Sequence, residues 1–364
     1  MKKSLVALAI LAAAGVASAQ SSVTLFGVVD ATYQHGSGSG VGSSSVSRLG
    51  NSGYNSSRLG FRGTEDLGGG MSASFWLEAG LNNDNGSGAN TSTNNQTTGA
   101  TGGGGLTFNR RSTVSLASGL GELRLGRDYT PQFWNQTVFD PFGTNGVGTT
   151  RTLAGTAPTG NLGGTTSVRA SNSVGYFLPG NLGGFYGQFQ AYMGENNKTG
   201  AATEKDGNGS AIRLGFANGP INVALATSST KFAPSATTGK TKSTNLGGSY
   251  DFGVAQAMAL VTRDKVDTTP TSVTGKGALI GALVPMGAGQ IRVAYSTYKL
   301  NTAAAPKSKQ WALGYVHNLS KRTALYTTFA RVTNSGGATA ALNGAVTAAN
   351  ARSTGYDFGI KHSF

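Results

Sequence analysis

The sequence predicts an all-β chain: a transmembrane β-barrel of sixteen antiparallel strands in up-and-down order, wide enough to hold water. Three observations predict it. Apolar residues alternate with small or polar ones in segment after segment, the mark of strands with two unlike faces. The connections alternate between short turns and long polar loops, as in a barrel whose ends face different compartments. Past an N-terminal leader, no apolar run approaches the roughly 18 residues of a membrane-spanning helix.

The leader comes first. Lys2 and Lys3 precede the apolar run from Leu5 to Val16 and the small residues Ala17, Ser18 and Ala19. This is the pattern of a signal peptide over residues 1–19, so that the mature chain starts at Gln20 and residues 20–364 form the barrel domain. Removal of Lys2 and Lys3 from the 29 basic residues leaves 27 against 15 acidic ones, a net charge of +12. Cysteine is absent, so an exported chain of this kind is held by backbone pairing and packing rather than by disulfides. Glycine is abundant, at 57 of 364 residues, but without a collagen-like period and with the apolar residues ordered by twos.

The strands follow in order. In VTLFGVVDATY, Leu25, Val29 and Tyr33 share one face and Asp30 takes the other; in SFWLEAGL, Phe75 and Leu77 oppose Trp76 and Glu78. In GYDFGIKHSF, Tyr356, Phe358, Ile360 and Phe364 share a face, with Asp357 and Lys361 opposite. Seven short connections rich in turn residues are expected at 64–70, 117–122, 179–184, 217–220, 251–255, 285–289 and 317–322. Eight long ones are expected around 34–55, 82–106, 129–167, 194–208, 229–242, 265–274, 301–307 and 334–351. Fifteen connections join sixteen strands. An even number closes the sheet without an open edge, as a bilayer requires, and sixteen strands leave an aqueous lumen. The competing fold, a secreted soluble all-β protein or β-solenoid, lacks the sequence repeat of 20 to 50 residues that a solenoid needs.

Five stretches then carry a resemblance: SSVTLFGVVDATY, SSRLGFRGTEDLGGGMSASFWLE, RRSTVSLASGLGELRLGRDYTP, LGYVHNLSKRTALY and the ending GIKHSF. They resemble the general porins of Gram-negative betaproteobacteria, in the right order and over nearly all of the mature chain. The resemblance implies a homotrimer of sixteen-stranded barrels in the outer membrane, each narrowed by an inward-folded third loop. That loop is expected at about Tyr129 to Thr166, the longest connection, without secondary structure of its own. Its Phe133, Trp134, Phe139 and Phe142 are expected to pack it on the wall. Its DPFG stretch, Asp140 to Gly143, resembles the family's loop tip, which places Asp140 on the acidic side of the constriction.

Parity assigns the cations. Leu59 and Phe61 face outward, so Arg58 and Arg62 face the lumen; Val174, Tyr176 and Leu178 face outward, so Arg169 faces in. Val114 and Leu116 outward favour Arg111 as the lumenal residue, whereas the family comparison favours Arg110, and both are retained as candidates. Leu123 and Leu125 outward make Glu122 and Arg124 lumenal and Arg127 outward. An arginine on a lipid face costs about 2–4 kcal/mol at mid-membrane, so Arg127 is assigned to a subunit interface or strand end, where the family has its counterpart. Glu78 is expected to pair with a lumenal arginine. A ring of guanidinium groups concentrates anions and depletes cations. Screening acts over about 8 Å at physiological ionic strength, so the charges at the narrowest point matter more than the net total.

Other chemistry lacks its residues. His35, His317 and His362 form no metal-ligand or catalytic spacing, and the glycine runs at 67–70 and 102–105 carry no phosphate-binding lysine. Asp84 among asparagines is a lone carboxylate for calcium. Dispersal of the basic residues along strands of an exported chain speaks against nucleic acid. The sequence therefore predicts an outer-membrane channel for small hydrophilic solutes and ions, anion-selective, with no enzyme activity and no cofactor. Its rivals are a barrel-anchored adhesin and an outer-membrane hydrolase.

Overall fold

A computed structural model describes residues 22–101, 105–155, 162, 164–232, 239–268 and 272–364 of the chain. The leader expected over 1–19 and the glycine run at 102–104 lie outside these residues. Among the described residues there are twenty strands. In chain order the first nine are β1 (Ser22–Gly38), β2 (Ser45–Asn51), β3 (Arg58–Gly68), β4 (Met71–Asn82), β5 (Ser87–Gly88), β6 (Thr91–Ser92), β7 (Ala100–Thr101), β8 (Arg111–Ser118) and β9 (Gly121–Tyr129). They are followed by β10 (Arg169–Phe177), β11 (Phe185–Tyr192), β12 (Gly209–Asn218), β13 (Ile221–Lys231), β14 (Gly239–Asp251), β15 (Gln256–Thr268), β16 (Ser272–Met286), β17 (Gly289–Leu300), β18 (Lys307–Asn318), β19 (Thr323–Ser335) and β20 (Arg352–Ser363).

Around the wall the strands pair antiparallel in chain order, with β3 on β1 and β8 on β4, and β20 closes on β1, from Val28 opposite Ser363 to Gly38 opposite Ser353. Two strands share one place in the wall: β2 pairs with the outer half of β1 and β3 with its inner half. With β5, β6 and β7 confined to the β4–β8 connection, the wall has sixteen positions. Closure leaves no unpaired edge in the bilayer.

The alternation read from the sequence is the alternation of the wall. Leu25, Val29 and Tyr33 are exposed outside, while Asp30 and Thr32 between them are fully buried inside. Tyr356, Phe358, Ile360 and Phe364 are exposed, and Asp357 is buried. The first hairpin departs from expectation. The long loop expected at 34–55 holds the end of β1 and all of β2, paired through Gln34 and Arg48, so that only 39–44 connects them. The wall breaks at 52–57, where the backbone amides of Tyr54 and Asn55 donate to the Asp30 carboxylate at 2.9 and 2.6 Å. SVSRLGN has too few apolar residues to announce a strand.

One side of the barrel interior is filled by the described residues of an inward loop. The β9–β10 connection folds inward and, contrary to expectation, carries two helices, α1 (Pro131–Val138) and α2 (Arg151–Gly155). Pro131 takes the first turn of α1, where its missing amide costs nothing. Phe139, Phe142, Val147, Leu153 and Leu162 of this loop pack against Leu260, Leu279, Ala294, Ala312, Ala330 and Val332 of the inner wall. Burial of each large side chain contributes about 1.5–3 kcal/mol, enough to hold the loop inside. The β19–β20 connection joins the cluster with Ala340 and Leu342. The wall makes room: a side chain at Gly247 would overlap the Phe139 ring.

Candidate pore constriction

Opposite the filled side, the wall and the inner loop enclose a cavity of about 470 Å³. Strands β3, β4 and β8 and their ends supply Arg58, Trp76, Glu78, Arg110 and Arg111; the loop and its two stems supply Tyr129, Phe133, Trp134, Arg151 and Arg169. Five guanidinium groups thus face one carboxylate.

Glu78, on the inward face of β4, is the hub. Its Oε1 lies 2.5 Å from Arg110 Nε and 3.8 Å from Arg58 Nε, and its Oε2 accepts from Trp76 Nε1 at 3.1 Å. Arg58 also donates to Asn55 Oδ1 and to the Ser56 carbonyl, both at 3.1 Å. Tyr129 is the second hub: its hydroxyl accepts from Arg110 at 2.5 Å and from Arg169 at 2.8 Å, and the Arg169 guanidinium lies 4.3 Å above its ring. Arg169 further donates to the Arg110 carbonyl at 2.9 Å. Arg111 donates to Thr113 Oγ1 at 3.0 Å, stands 3.9 Å from Asp128 and stacks 4.6 Å over Trp76. From the loop side, Arg151 donates to Gln136 Oε1 at 2.9 Å and lies 5.3 Å over Phe133.

Aromatic rings do much of the positioning. Besides these, Arg62, Arg124, Arg213 and Arg292 stack on Phe26 and Trp76, Phe177, Tyr186 and Tyr54. A ring fixes a guanidinium through its π-face without cancelling its charge, as a carboxylate would. Two carboxylates beside the cavity, Asp128 and Glu122, are taken up by Arg124 at 2.6 and 2.9 Å.

The structure brings Arg58, Glu78, Arg110, Arg111 and Arg169 together. The choice between Arg110 and Arg111 dissolves. Arg111 obeys strand parity with Thr113, while Arg110 precedes the strand, where parity lapses, and turns in as well. Arg62 is inward but apart from the cavity, in an exposed position between Phe26 and Trp76.

Asp140 departs from expectation. It is 3% exposed, and its carboxylate accepts from the Phe142 and Thr150 amides at 2.8 and 2.9 Å and from Thr149 Oγ1 at 3.2 Å. It ties the loop's own turn instead of facing the cavity. Burial in this loop, outside the spanning strands, pushes its carboxyl up to about 7, so even its charge is partial at neutral pH. Arg127 faces outward as parity requires, but its donors are spent within the chain: on the Asn109 carbonyl at 2.6 Å, the Ser92 carbonyl at 3.2 Å and Ser171 Oγ at 2.8 Å. It pins the β4–β8 connection to the outside of the wall.

Sequence reasoning missed Arg151, Tyr129 and Trp76 as parts of the site. One signal was available for Arg151: it is the only cation between 130 and 168. Among the described residues no three of His, Asp and Glu converge to hold a metal ion.

A closed sixteen-stranded barrel with an apolar outside, an inward-folded loop and arginines on the facing wall defines the class, a diffusion channel of the outer membrane. The chain belongs to the Gram-negative porin family, whose model matches residues 4–337. It is 38% identical to outer membrane porin protein 32 of Delftia acidovorans over 372 positions covering all of both chains. It is 31% identical to an outer membrane porin protein of Bordetella pertussis, over 90% of this chain and 93% of that one. Among solved structures, the anion-selective porin from Comamonas acidovorans matches with a TM-score of 0.81 at 35% identity, over 94% of this chain and all of that one.

Proposed function

We propose that the chain is a passive, anion-preferring pore for small hydrophilic solutes, assembled as a homotrimer with one channel per subunit and without a chemical step. The arginine-lined cavity is its eyelet: Arg58, Arg110, Arg111 and Arg169 on the wall and Arg151 on the loop supply the positive field, and Glu78 orients two of them. The observation that carries this reading is the surplus of four positive charges around one cavity of about 470 Å³. Groups this close act within about one Debye length of any ion that passes, so screening leaves them effective. The selectivity named for the Comamonas porin agrees with this balance.

Reconstitution into a planar bilayer tests it. Stepwise ohmic currents are expected, with a reversal potential on the anion side in a salt gradient. Silence from intact trimers, or a cation-side reversal potential, would remove the reading.

A further inference from the structure

Trp134 stands apart from the other aromatic residues of the cavity. The sequence expects it to pack the inner loop on the wall, but α1 gives the wall its other side. The Gln132 carbonyl accepts from Asn245 at 3.0 Å and Asn135 donates to the Ala224 carbonyl at 2.8 Å, which leaves Phe133, Trp134 and Thr137 along the cavity. Residues three and four apart share a helix face, so these three line it together.

The other rings of the cavity are taken. Arg111 stacks over Trp76 at 4.6 Å, Arg169 over Tyr129 at 4.3 Å and Arg151 over Phe133 at 5.3 Å. Among the described residues no cation stacks on Trp134, whose one ring contact is a T-shaped approach to Tyr129 at 5.2 Å. Its donor is unspent as well. Trp76 gives its indole N–H to Glu78 at 3.1 Å, whereas half-buried Trp134 has no acceptor for Nε1 among the described residues.

Charge lines the same space. Within the chain Arg111 donates through Nε alone, to Thr113 Oγ1 at 3.0 Å, so among the described residues its two Nη groups are open. A guanidinium holds a carboxylate through two parallel N–H groups. An uncovered indole, an unspent N–H and a surplus of guanidinium groups thus line one cavity of about 470 Å³, within the size range of small-molecule sites. An inorganic anion uses only the guanidinium part of that lining. A flat ring that carries a carboxylate uses all of it.

We infer that the cavity is a binding site for aromatic carboxylates, with Trp134 as the residue that distinguishes them from aliphatic anions of the same charge. The inference rests on the anion-pore reading and names a solute class for it. Ring pairs contribute beyond the area they bury, so the preference expected for benzoate over cyclohexanecarboxylate is about tenfold, or about 1.4 kcal/mol. A preference of this size suits a channel, because a solute held more tightly would enter and not leave.

The test uses chloride currents through single channels of the full chain in a planar bilayer at neutral pH. Benzoate, cyclohexanecarboxylate and uncharged benzyl alcohol are added in turn. Benzoate is expected to interrupt the current at a concentration about tenfold below that needed for cyclohexanecarboxylate, and benzyl alcohol is expected to leave it uninterrupted in that range. Trp134→Leu keeps an apolar side chain without a ring and should bring the two anions to the same concentration. Trp134→Phe restores a ring without the N–H and should recover a difference of about threefold. Equal block of the unaltered chain by the two anions would overturn the inference. So would block by benzyl alcohol at the benzoate concentration, or an undiminished difference in either variant. The reversal potential of the unaltered chain in a chloride gradient separates the two readings: an anion-side value with equal block removes this inference alone, whereas a cation-side value removes the pore reading with it.

Discussion

At the scale of single residues, the lumen separates two ways of holding an arginine. Arg124 is held by carboxylates, at 2.6 Å from Asp128 and 2.9 Å from Glu122, and its charge is cancelled. Arg169 is held by the ring and hydroxyl of Tyr129, and its charge survives. Tyr129→Phe keeps the ring and removes the acceptor shared by Arg110 and Arg169. The expected loss is about 1–3 kcal/mol of stability, read by thermal unfolding, with the reversal potential unchanged because no charge is altered. Glu78→Gln should act in the opposite sense on selectivity. It removes the one negative group lining the cavity, so the reversal potential should move further to the anion side; a move toward cations would contradict the assignment of Glu78 as the counter-charge.

At the scale of elements, the β9–β10 loop is as much a part of the interior as the strands. Asn135 donates to the Ala224 carbonyl at 2.8 Å, Gln310 to the Val147 carbonyl at 3.1 Å, and the Val147 amide to Asp357 at 2.6 Å. Asp357 also accepts from Asn343 at 2.9 Å, so one wall carboxylate secures both inward loops. Gly247→Ala would drive a methyl group into the Phe139 ring. The wall can take an alanine and the loop must yield, so the barrel should fold while single-channel conductance changes. Asp357→Ala leaves the Val147 amide and Asn343 without their acceptor. A cost of about 1–3 kcal/mol and noisier open-channel currents are expected.

At the scale of the whole molecule, the strand count and the inward and outward faces were legible because period two is a property of each strand alone. Arg58 and Arg111 followed from it directly. Arg169, the first residue of β10, followed likewise, whereas Arg110 lies one residue before β8, where the chain leaves the wall and parity stops deciding direction. The part played by Leu342 was not legible: ALNGAV reads alike as a solvated loop and as a plug, and only the facing Val147 and Val332 decide. Asp140 misled for a similar reason. A loop carboxylate can face water or cap its own turn, and which it does depends on partners nine and ten residues away, at Thr149 and Thr150.

Anion selection by the cavity arginines is tested most directly by the reversal potential of the double variant Arg58→Ser, Arg169→Ser in a planar bilayer under a salt gradient, against that of the unaltered chain. Removal of two of the five guanidinium groups at the cavity should shift it toward zero while the channels remain open and trimeric. An unchanged reversal potential in open channels would place the selective charges elsewhere and contradict the assignment of these arginines to the eyelet.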